Sequence, residues 1–337
     1  MPLSDDNELD IAWRALDKQK SQFSWHTISI RQPDKFSSYA GRHYPLNMES
    51  IIIGFPRLSS IQEIYLPASK GFDLFYSTKT DIQLNEPAII LVRKDWAPLE
   101  LFKYMSIDIL SLLDKKKSIS EIQMLSTLID RIKTWQNFME SPHGGPMSLE
   151  RQTGLYGELY FIQKLIELSK STQRIIESWD GPFRGAQDFI FDNIGFEVKT
   201  TTSPAGFNAK IQSLEQLDSQ SLKNLYLMAL RLVEDSNGIN LVYLIDTIRE
   251  TLKNQGGLRE FNIKLSISGY NDEHADSYQR PLKESQFTIF QVDNNFPRLI
   301  PGNVPAQIRR ARYEIELDTI GLDTNSNLIL DEILKDY

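Results

Sequence analysis

The chain has 337 residues, no cysteine and a formal net charge of −8 at pH 7. Single hydrophobic cores stop growing at roughly 250–300 residues, so we expect two domains, or one domain with a large appendage. With 41% hydrophobic and 24% charged residues, the chain is too apolar to be disordered. The lack of cysteine excludes a disulfide scaffold, a cysteine-ligated zinc finger and a thiolate nucleophile. Four scattered histidines leave carboxylates as the expected ligands of any metal site.

The first residues of the chain are acidic and polar, so we expect no signal peptide. The longest apolar runs, such as Ile51–Phe55 and Ala88–Val92, are far shorter than the roughly 20 residues that span a bilayer. We therefore expect a cytoplasmic protein with no membrane segment. The sequence pI near 5.2 is not that of a protein that grips nucleic acid over its whole surface. Any DNA contact is expected from a local basic patch or from a partner.

Residues 1–140 are predicted to form a β-rich module. A helix from Leu9 to about Lys20 comes first, with Trp13 and Leu16 on its apolar face. Short apolar runs separated by Gly, Pro, Ser and Asn then predict an antiparallel sheet. The predicted strands are Trp25–Ile30, Ile51–Phe55, Ile61–Leu66, Phe72–Tyr76 and Ala88–Arg93.

Two helices close this module before the main domain boundary. Pro98 is well placed in a first helical turn and predicts a helix to about Leu113. Ser118 and Glu121 have the spacing of a capping box, which predicts a second helix to about Met139. Two prolines and two glycines within residues 141–146 cannot continue a helix. We therefore divide the chain into domains 1–140 and 141–337.

The second half is predicted to be an α/β module. A helix from about Ser148 to Leu168 precedes a hairpin of strands Asp188–Phe191 and Gly195–Thr201, joined by residues 192–194. The run Leu225–Val233 is apolar enough for a buried strand, with a helix as the alternative. The other predicted elements are a helix over 239–254 and strands at Ala209–Gln212, Phe287–Val292 and Tyr313–Leu317.

The hairpin carries the residues with the clearest chemistry. Side chains alternate along a strand, so Glu197 and Lys199 share one face while Phe196 and Val198 fit a core on the other. Asp188 lies on the partner strand and can reach the same spot. Two converging carboxylates repel each other unless a cation lies between them, and Mg²⁺ binds carboxylates together with waters and phosphate oxygens. With Lys199 to orient or deprotonate a water, the set predicts metal-assisted phosphodiester hydrolysis.

Asp188, Glu197 and Lys199 resemble the signature of the PD-(D/E)XK nucleases. The preceding helix carries Glu158 within Gly154–Phe161, which resembles the acid on the first core helix of many such enzymes. The resemblance implies a restriction-endonuclease-like core, with a helix, a three-stranded meander, a helix and a fourth strand. In this chain we expect an α/β (α+β) fold, with a central mixed sheet flanked by helices after the β-rich module.

The resemblance is closer to one bacterial family of PD-(D/E)XK motif proteins of unknown function, and it spans most of the chain. It implies a DNA endonuclease subunit of a restriction or phage-defence system, beside separate ATPase and DNA methyltransferase subunits. A homodimer would most simply supply the two sites that double-strand cutting needs. The segments that carry this resemblance are Gly154–Phe161, Trp179–Pro182, Asp188, Glu197–Ser203, Ser213–Asp218, Phe296–Leu299 and Tyr313–Leu317.

The resemblance also implies roles for individual residues. Asp188 and Glu197 would ligate Mg²⁺, with Mn²⁺ as an alternative, and Glu158 would act through a water or a second metal. Lys199 would position the attacking water. Gln187 stands where the signature has proline. Because that proline shapes a turn and binds no metal, we expect this departure to matter little.

Other polar residues are candidates for binding the substrate. Related nucleases often carry a glutamine on the helix after the third strand, and this chain offers two. Threonines at the end of the second hairpin strand could bind a phosphate, although β-propensity explains them equally well. The densest basic cluster of the second half could contact a DNA backbone, or it could be a solvated face. The candidates are Thr200, Thr201, Gln212, Gln216, Arg309, Arg310 and Arg312.

Each signal has a structural alternative. Glu197 and Lys199 could form a surface ion pair on an edge strand. Gly154 and Gly157 are costly inside a helix and indicate either close approach to the sheet or a frayed first turn. Trp179 is expected to be a packing anchor. The alternative functions are a catalytically inactive adaptor that links an ATPase or methyltransferase partner to DNA, and a nuclease for RNA or branched DNA.

Overall fold

A computed structural model of the chain describes residues 5–17, 25–31, 35–58, 69–77, 86–115, 119–140, 145–168, 171–183, 185–321 and 330. The chain divides into two compact units, Met1–Pro142 and His143–Tyr337. The first contains an antiparallel sheet with helices, and the second contains a mixed sheet with helices. The fold is therefore mixed α/β, as the sequence predicts. None of the described helices has an apolar stretch long enough to cross a bilayer.

The first unit is built on a five-stranded antiparallel sheet. Its strands are β1 Trp25–Arg31, β2 Ser37–His43, β3 Met48–Gly54, β4 Phe72–Ser77 and β5 Ala88–Arg93, in the order β1-β2-β3-β5-β4. The apolar runs predict four of these strands, and β2 is an addition. The predicted strand Ile61–Leu66 lies outside the described residues.

The described residues of this unit form the helices α1 Asp5–Asp17, α2 Leu99–Lys115 and α3 Glu121–Glu140. The capping box of α3 is formed by Ser120 and Gln123, two residues beyond the predicted one. Gln123 N–H donates to Ser120 Oγ at 3.3 Å, and Ser120 N–H donates to Gln123 Oε1 at 3.0 Å. The prediction that Ser118 and Glu121 form the box is wrong, because Glu121 is already the first helical residue. Ser118 itself lies outside the described residues.

The second unit combines helices with two sheets. Its helices are α4 Leu149–Leu168, α5 Thr172–Ser178, α6 Leu241–Gln255 and α7 Leu258–Ile267. Its strands are β6 Phe189–Phe191, β7 Ile194–Thr201, β8 Asn208–Ile211, β9 Asn224–Ile239, β10 Leu282–Gln291 and β11 Tyr313–Glu316. Four strands form a mixed sheet in the order β10-β9-β7-β6, and β11 pairs with β8 in a small second sheet.

Strand β9 resolves the ambiguous apolar run Leu225–Val233. It pairs in parallel with β7 and antiparallel with β10. Tyr226 and Met228 pack in the core beneath α4, while Leu225 and Leu227 pack in a second core with β8 and β11. Because both faces are covered, this part of the strand is apolar at every position, and its sequence has no strand-like alternation.

The unit departs from the expected core pattern at two places. An isolated antiparallel bridge between Trp179 and Phe189 stands where the first strand of the meander is expected. The expected helix between the third and fourth strands is absent, since residues 202–223 form β8 and turns. Pro204 and Gly206, whose φ is +72°, prevent a helix at the start of this segment. Pairing of β8 with β11 then gives it a place in a sheet instead.

Candidate active site

The β6–β7 hairpin positions Asp188 beside Glu197. Strand β6 begins at Phe189, which pairs with Phe196 of β7. Asp188 immediately precedes β6. Its Oδ2 accepts a hydrogen bond from the backbone N–H of Val198 in β7 at 2.8 Å, beyond the last residue pair of the hairpin. The Asp188 carboxylate is therefore fixed against β7 at the open end of the hairpin.

Glu197 and Lys199 form a pair on one face of β7. The Glu197 side chain is only 1% exposed, and Lys199 Nζ lies 2.6 Å from Glu197 Oε1. Gln216 Nε2 donates to the same oxygen at 2.9 Å. Glu197 Oε2 is buried and has no hydrogen-bond partner in the described part of the chain. Two donors thus share one oxygen of Glu197 and leave the other unengaged.

Helix α4 brings Glu158 to the hairpin. At the neighbouring position, a Cβ on Gly157 would overlap Thr200 Oγ1 and lie 3.0 Å from Thr200 Cβ. Glycine therefore lets α4 pack closely against β7, as one interpretation of the sequence proposed. The Glu158 carboxylate is held by Trp179, whose indole Nε1 donates to Oε2 at 2.6 Å.

Glu158 and Asp188 meet beside Gly181. A Cβ on Gly181 would lie 2.7 Å from Glu158 Oε2 and 3.0 Å from Asp188 Oδ1. The Gly181 N–H also donates to the Asp188 backbone oxygen at 2.9 Å, which fixes the two residues together. Because position 181 has no side chain, both carboxylates can lie close to its backbone.

Burial and mutual repulsion shift the pKa values of these carboxylates upward. Burial, followed by the Asp188 charge, raises the pKa of Glu197 to about 8, although Lys199 opposes the shift. Burial and then Asp188 also raise the pKa of Glu158 well above its ordinary value. Burial raises the pKa of Asp188, against the opposing effects of Lys199 and Val198 N–H. If all three carboxylates were ionised, their charge would exceed what one lysine balances, so the site favours binding of a proton or a cation.

The Lys199 ammonium keeps its proton in this setting. Burial lowers its pKa, but the Glu197 and Asp188 carboxylates outweigh burial and leave the pKa raised. Lys199 is therefore a charged hydrogen-bond donor to Glu197.

A comparison with protein families identifies the family of the chain. The family model described as "Putative PD-(D/E)XK family member, (DUF4420)" matches residues 9–318. The chain belongs to this family. No curated protein and no solved structure matches the chain. Because the match covers most of both units, the β-rich module is part of what defines this PD-(D/E)XK family.

The carboxylates of the candidate site fit a divalent cation by their donor chemistry. One oxygen of each is engaged: Trp179 binds Glu158 Oε2, Val198 N–H binds Asp188 Oδ2, and Glu197 Oε1 takes the two donors described above. The second oxygen of each accepts no hydrogen bond from the described residues. Hard cations such as Mg²⁺ and Mn²⁺ prefer such oxygens.

The arrangement is not a closed ligand shell. Among the described residues, no three His, Asp or Glu side chains already surround one point as metal ligands do. Glu197 is instead paired with Lys199. Glu158 and Asp188 both approach Gly181, and the unengaged Glu197 Oε2 is the third candidate ligand atom.

The other residues predicted to bind substrate differ in position. Thr200 Oγ1 is buried beside α4 and has no partner in the described ranges, so it faces the helix. Thr201 Oγ1 accepts a hydrogen bond from the backbone two residues further on, at 3.1 Å. Of the two glutamines, Gln216 reaches Glu197, whereas Gln212 has an exposed side chain and donates its backbone N–H to Gln216 Oε1 at 2.6 Å.

The arginine run, Arg309, Arg310 and Arg312, lies immediately before β11 and is exposed. Its side chains form no ion pair or hydrogen bond with any described residue. The next residue, Tyr313, has its pKa raised by burial, and it lies close enough to Lys199 for that charge to oppose the shift. The arginine run therefore directly precedes a residue that is near Lys199, and no contact joins the arginines themselves to the described site residues.

Trp179 and Gln187, which were not predicted to be site residues, make contacts with the site that the motif does not indicate. Trp179 is fully buried, as expected of a packing anchor, and it also binds Glu158. The general need of a buried indole N–H for an acceptor could have signalled this contact. Gln187 is buried, and its Nε2 donates to the backbone oxygens of Glu215 at 3.1 Å and Gln216 at 3.3 Å. No sequence pattern indicates the contact between Gln187 and residues 215 and 216.

Proposed function

We propose that this protein is a Mg²⁺-dependent DNA endonuclease that hydrolyses phosphodiester bonds. The observation that carries the proposal is the convergence of Glu158, Asp188 and Glu197 beside Lys199, with one unengaged oxygen on each carboxylate. Structural ion pairs do not need unengaged, partly buried carboxylate oxygens. A site for a cation and a phosphate gives each of these oxygens a partner.

The carboxylates and Lys199 have separate roles in the proposed hydrolysis. Glu158, Asp188 and Glu197 would hold the cation, which when bound lowers the pKa of a water and stabilises charge on the phosphate. Lys199 stays protonated, so its ammonium orients the attacking water and offsets negative charge that develops on the phosphate. Gln216 and Trp179 keep Glu197 and Glu158 in position.

The arginine run supplies a local basic surface for DNA. Its side chains are exposed and unpaired with respect to the described residues, and it directly precedes β11. In a chain with a net charge of −8, such a local contact accounts for phosphate binding better than the overall charge does. We infer that these arginines contact the DNA backbone and carry no sequence preference.

We further propose that the enzyme acts in the cytoplasm as a subunit of a restriction or phage-defence system. The motif resemblance supports this setting, together with ATPase and DNA methyltransferase partners. No nucleotide-binding loop is present in the sequence, so any ATP-driven step belongs to a partner. A homodimer would provide two sites for double-strand cleavage.

Isothermal titration with Mn²⁺ separates this enzyme from an inactive adaptor. We expect the wild-type protein to bind Mn²⁺, and Glu197→Gln and Asp188→Asn to weaken binding at least about tenfold because each removes a charged ligand. Glu314→Gln is the matched control, since Glu314 is exposed on β11. Mn²⁺ binding that is the same in all four proteins would reject the metal site and favour the adaptor.

A further inference from the structure

The residue before Asp188 connects two parts of the site. Gln187 is 4% exposed, and its side-chain amide lies across the turn that follows β8. Both amide hydrogens have acceptors, the backbone oxygens of Glu215 at 3.1 Å and Gln216 at 3.3 Å. A Cβ at Gly195 would lie 2.6 Å from Leu222 Cδ1, 3.1 Å from Leu225 Cδ1 and 3.3 Å from Gln187 Cγ, so glycine there accommodates all three side chains.

The segment that Gln187 binds has little regular structure. Residues 212–223 form turns between β8 and β9. Of three successive backbone oxygens, Gln187 binds those of residues 215 and 216, and Arg298 Nη1 donates to that of Leu217 at 2.7 Å. Side chains from elsewhere in the unit, and not a helix, therefore hold this loop in place. We call residues 212–218 the glutamine loop.

The glutamine loop delivers one side chain to the site. Gln216 Oε1 accepts from Gln212 N–H at 2.6 Å, which orients the amide so that Nε2 donates to Glu197 Oε1. Lys199 binds the same oxygen at 2.6 Å. The two donors decide which oxygen of Glu197 is engaged, and Oε2 remains for a ligand.

We propose that Gln187 is a positioning residue that sets the orientation of the Glu197 carboxylate through the glutamine loop. This inference rests on the proposed function for its consequence, which is the readiness of Glu197 to bind a cation. It reverses the expectation that the residue in the proline position of the motif matters little. A proline at 187 could shape the turn, but it has no side-chain donor for the loop.

The first measurement follows the loop without metal or substrate. Gln187→Met removes both donors at similar volume, and hydrogen–deuterium exchange read by mass spectrometry reports on peptides that cover residues 212–218. We expect faster exchange there and unchanged exchange in α4. Gln220→Met is the matched control, because Gln220 is exposed and its side chain makes no hydrogen bond with a described residue. Unchanged exchange in the glutamine loop of Gln187→Met would overturn the inference.

The second measurement connects the loop to Glu197. Residues that support metal ligands typically change metal affinity about 10–100-fold, so we expect Gln187→Met to weaken Mn²⁺ binding by about tenfold. The same variant should lower kcat for DNA cleavage and leave KM unchanged. The double variant Gln187→Met, Gln216→Met should bind Mn²⁺ as weakly as Gln216→Met alone, because both act through one contact. Additive losses, or unchanged Mn²⁺ affinity, would contradict the proposal.

A further variant guards against failure to fold. Gln187→Leu also lacks both donors and adds no charge, so it should reproduce the loop and Mn²⁺ effects if Gln187→Met is unstable. If the wild-type protein binds no Mn²⁺ through Glu197, the proposed function fails, while the exchange measurement still decides whether Gln187 holds the loop. If the wild type binds Mn²⁺ and the Gln187 variants bind it equally well, only the positioning role fails.

Discussion

The close contact between α4 and β7 makes a prediction about two glycines of one helix. A Cβ at Gly157 would overlap Thr200 Oγ1 and lie 3.0 Å from Thr200 Cβ, whereas a Cβ at Gly154 would meet nothing within 4 Å. Gly154→Ala and Gly157→Ala are therefore the same substitution about one helical turn apart. Only Gly157→Ala creates a steric conflict. Only the conflict at Gly157 displaces the helix that carries Glu158.

The expected magnitudes follow from two opposing effects. Alanine in place of glycine in a helix stabilises it by about 0.8–1 kcal/mol, and this gain applies to both variants. Extra atoms forced into a packed contact cost about 1–3 kcal/mol, and this cost applies only to Gly157→Ala. The helix gain cancels in the comparison, so Gly157→Ala should be about 1–3 kcal/mol less stable than Gly154→Ala. In domains of 150–250 residues each kcal/mol moves Tm by roughly 2–4 °C.

Thermal and urea unfolding of both variants measure this difference. Gly154→Ala should melt above the wild type, and Gly157→Ala should melt below Gly154→Ala. Adding Thr200→Ala to Gly157→Ala removes the overlapping hydroxyl and should restore part of the loss. Equal melting temperatures for the two glycine variants would refute the packing explanation of Gly157.

Three further predictions concern charge. Trp179→Phe removes a hydrogen bond that lowers the pKa of Glu158, so that pKa should rise and the midpoint of Mn²⁺ binding should move to higher pH in titrations; an unmoved midpoint would contradict this role. In the folded protein the pKa of Glu197 is about 8, against an ordinary value of 4.5, so without metal the free energy of unfolding should fall as pH rises through this range. Glu197→Gln cannot titrate, so its stability relative to wild type, measured by urea unfolding in chelator, should grow from pH 5 to pH 8; a constant difference would count against the shift. Replacing Arg309, Arg310 and Arg312 with alanine should flatten the dependence of log K for duplex DNA on log salt by up to about 0.9 per lost phosphate contact, and an unchanged slope would remove these arginines from the interface.

The hairpin and its acid and lysine residues were predictable because local patterns specify them. Strand alternation places Glu197 on the opposite face from Phe196 and Val198, and the structure has Phe196 and Val198 in the core. The apolar spacing of α4 likewise predicts its bounds to within one residue. These features depend on neighbouring residues in the sequence, so the periodicity of apolar residues predicts them.

Features that depend on distant contacts were not predictable. Strand β2 has the sequence SSYAGRH, with little apolar alternation, and it is a strand because β1 and β3 pair with both of its edges. The choice between Gln212 and Gln216 depends on a turn whose position Gln187 and Arg298 determine. The helix that was expected in this segment is also absent because of a distant contact. Pairing with β11 makes residues 208–211 a strand.

The central claim is that this site hydrolyses DNA. The most direct test incubates plasmid and linear DNA with Mg²⁺ and either wild-type protein or Glu197→Ala, with and without the proposed ATPase and methyltransferase partners. Glu314→Ala, on the exposed surface of β11, is the control for an unrelated loss of charge. We predict Mg²⁺-dependent cleavage by the wild type and the control, and none by Glu197→Ala. Cleavage by Glu197→Ala at the wild-type rate, or no cleavage by the wild type with its partners present, would contradict the account.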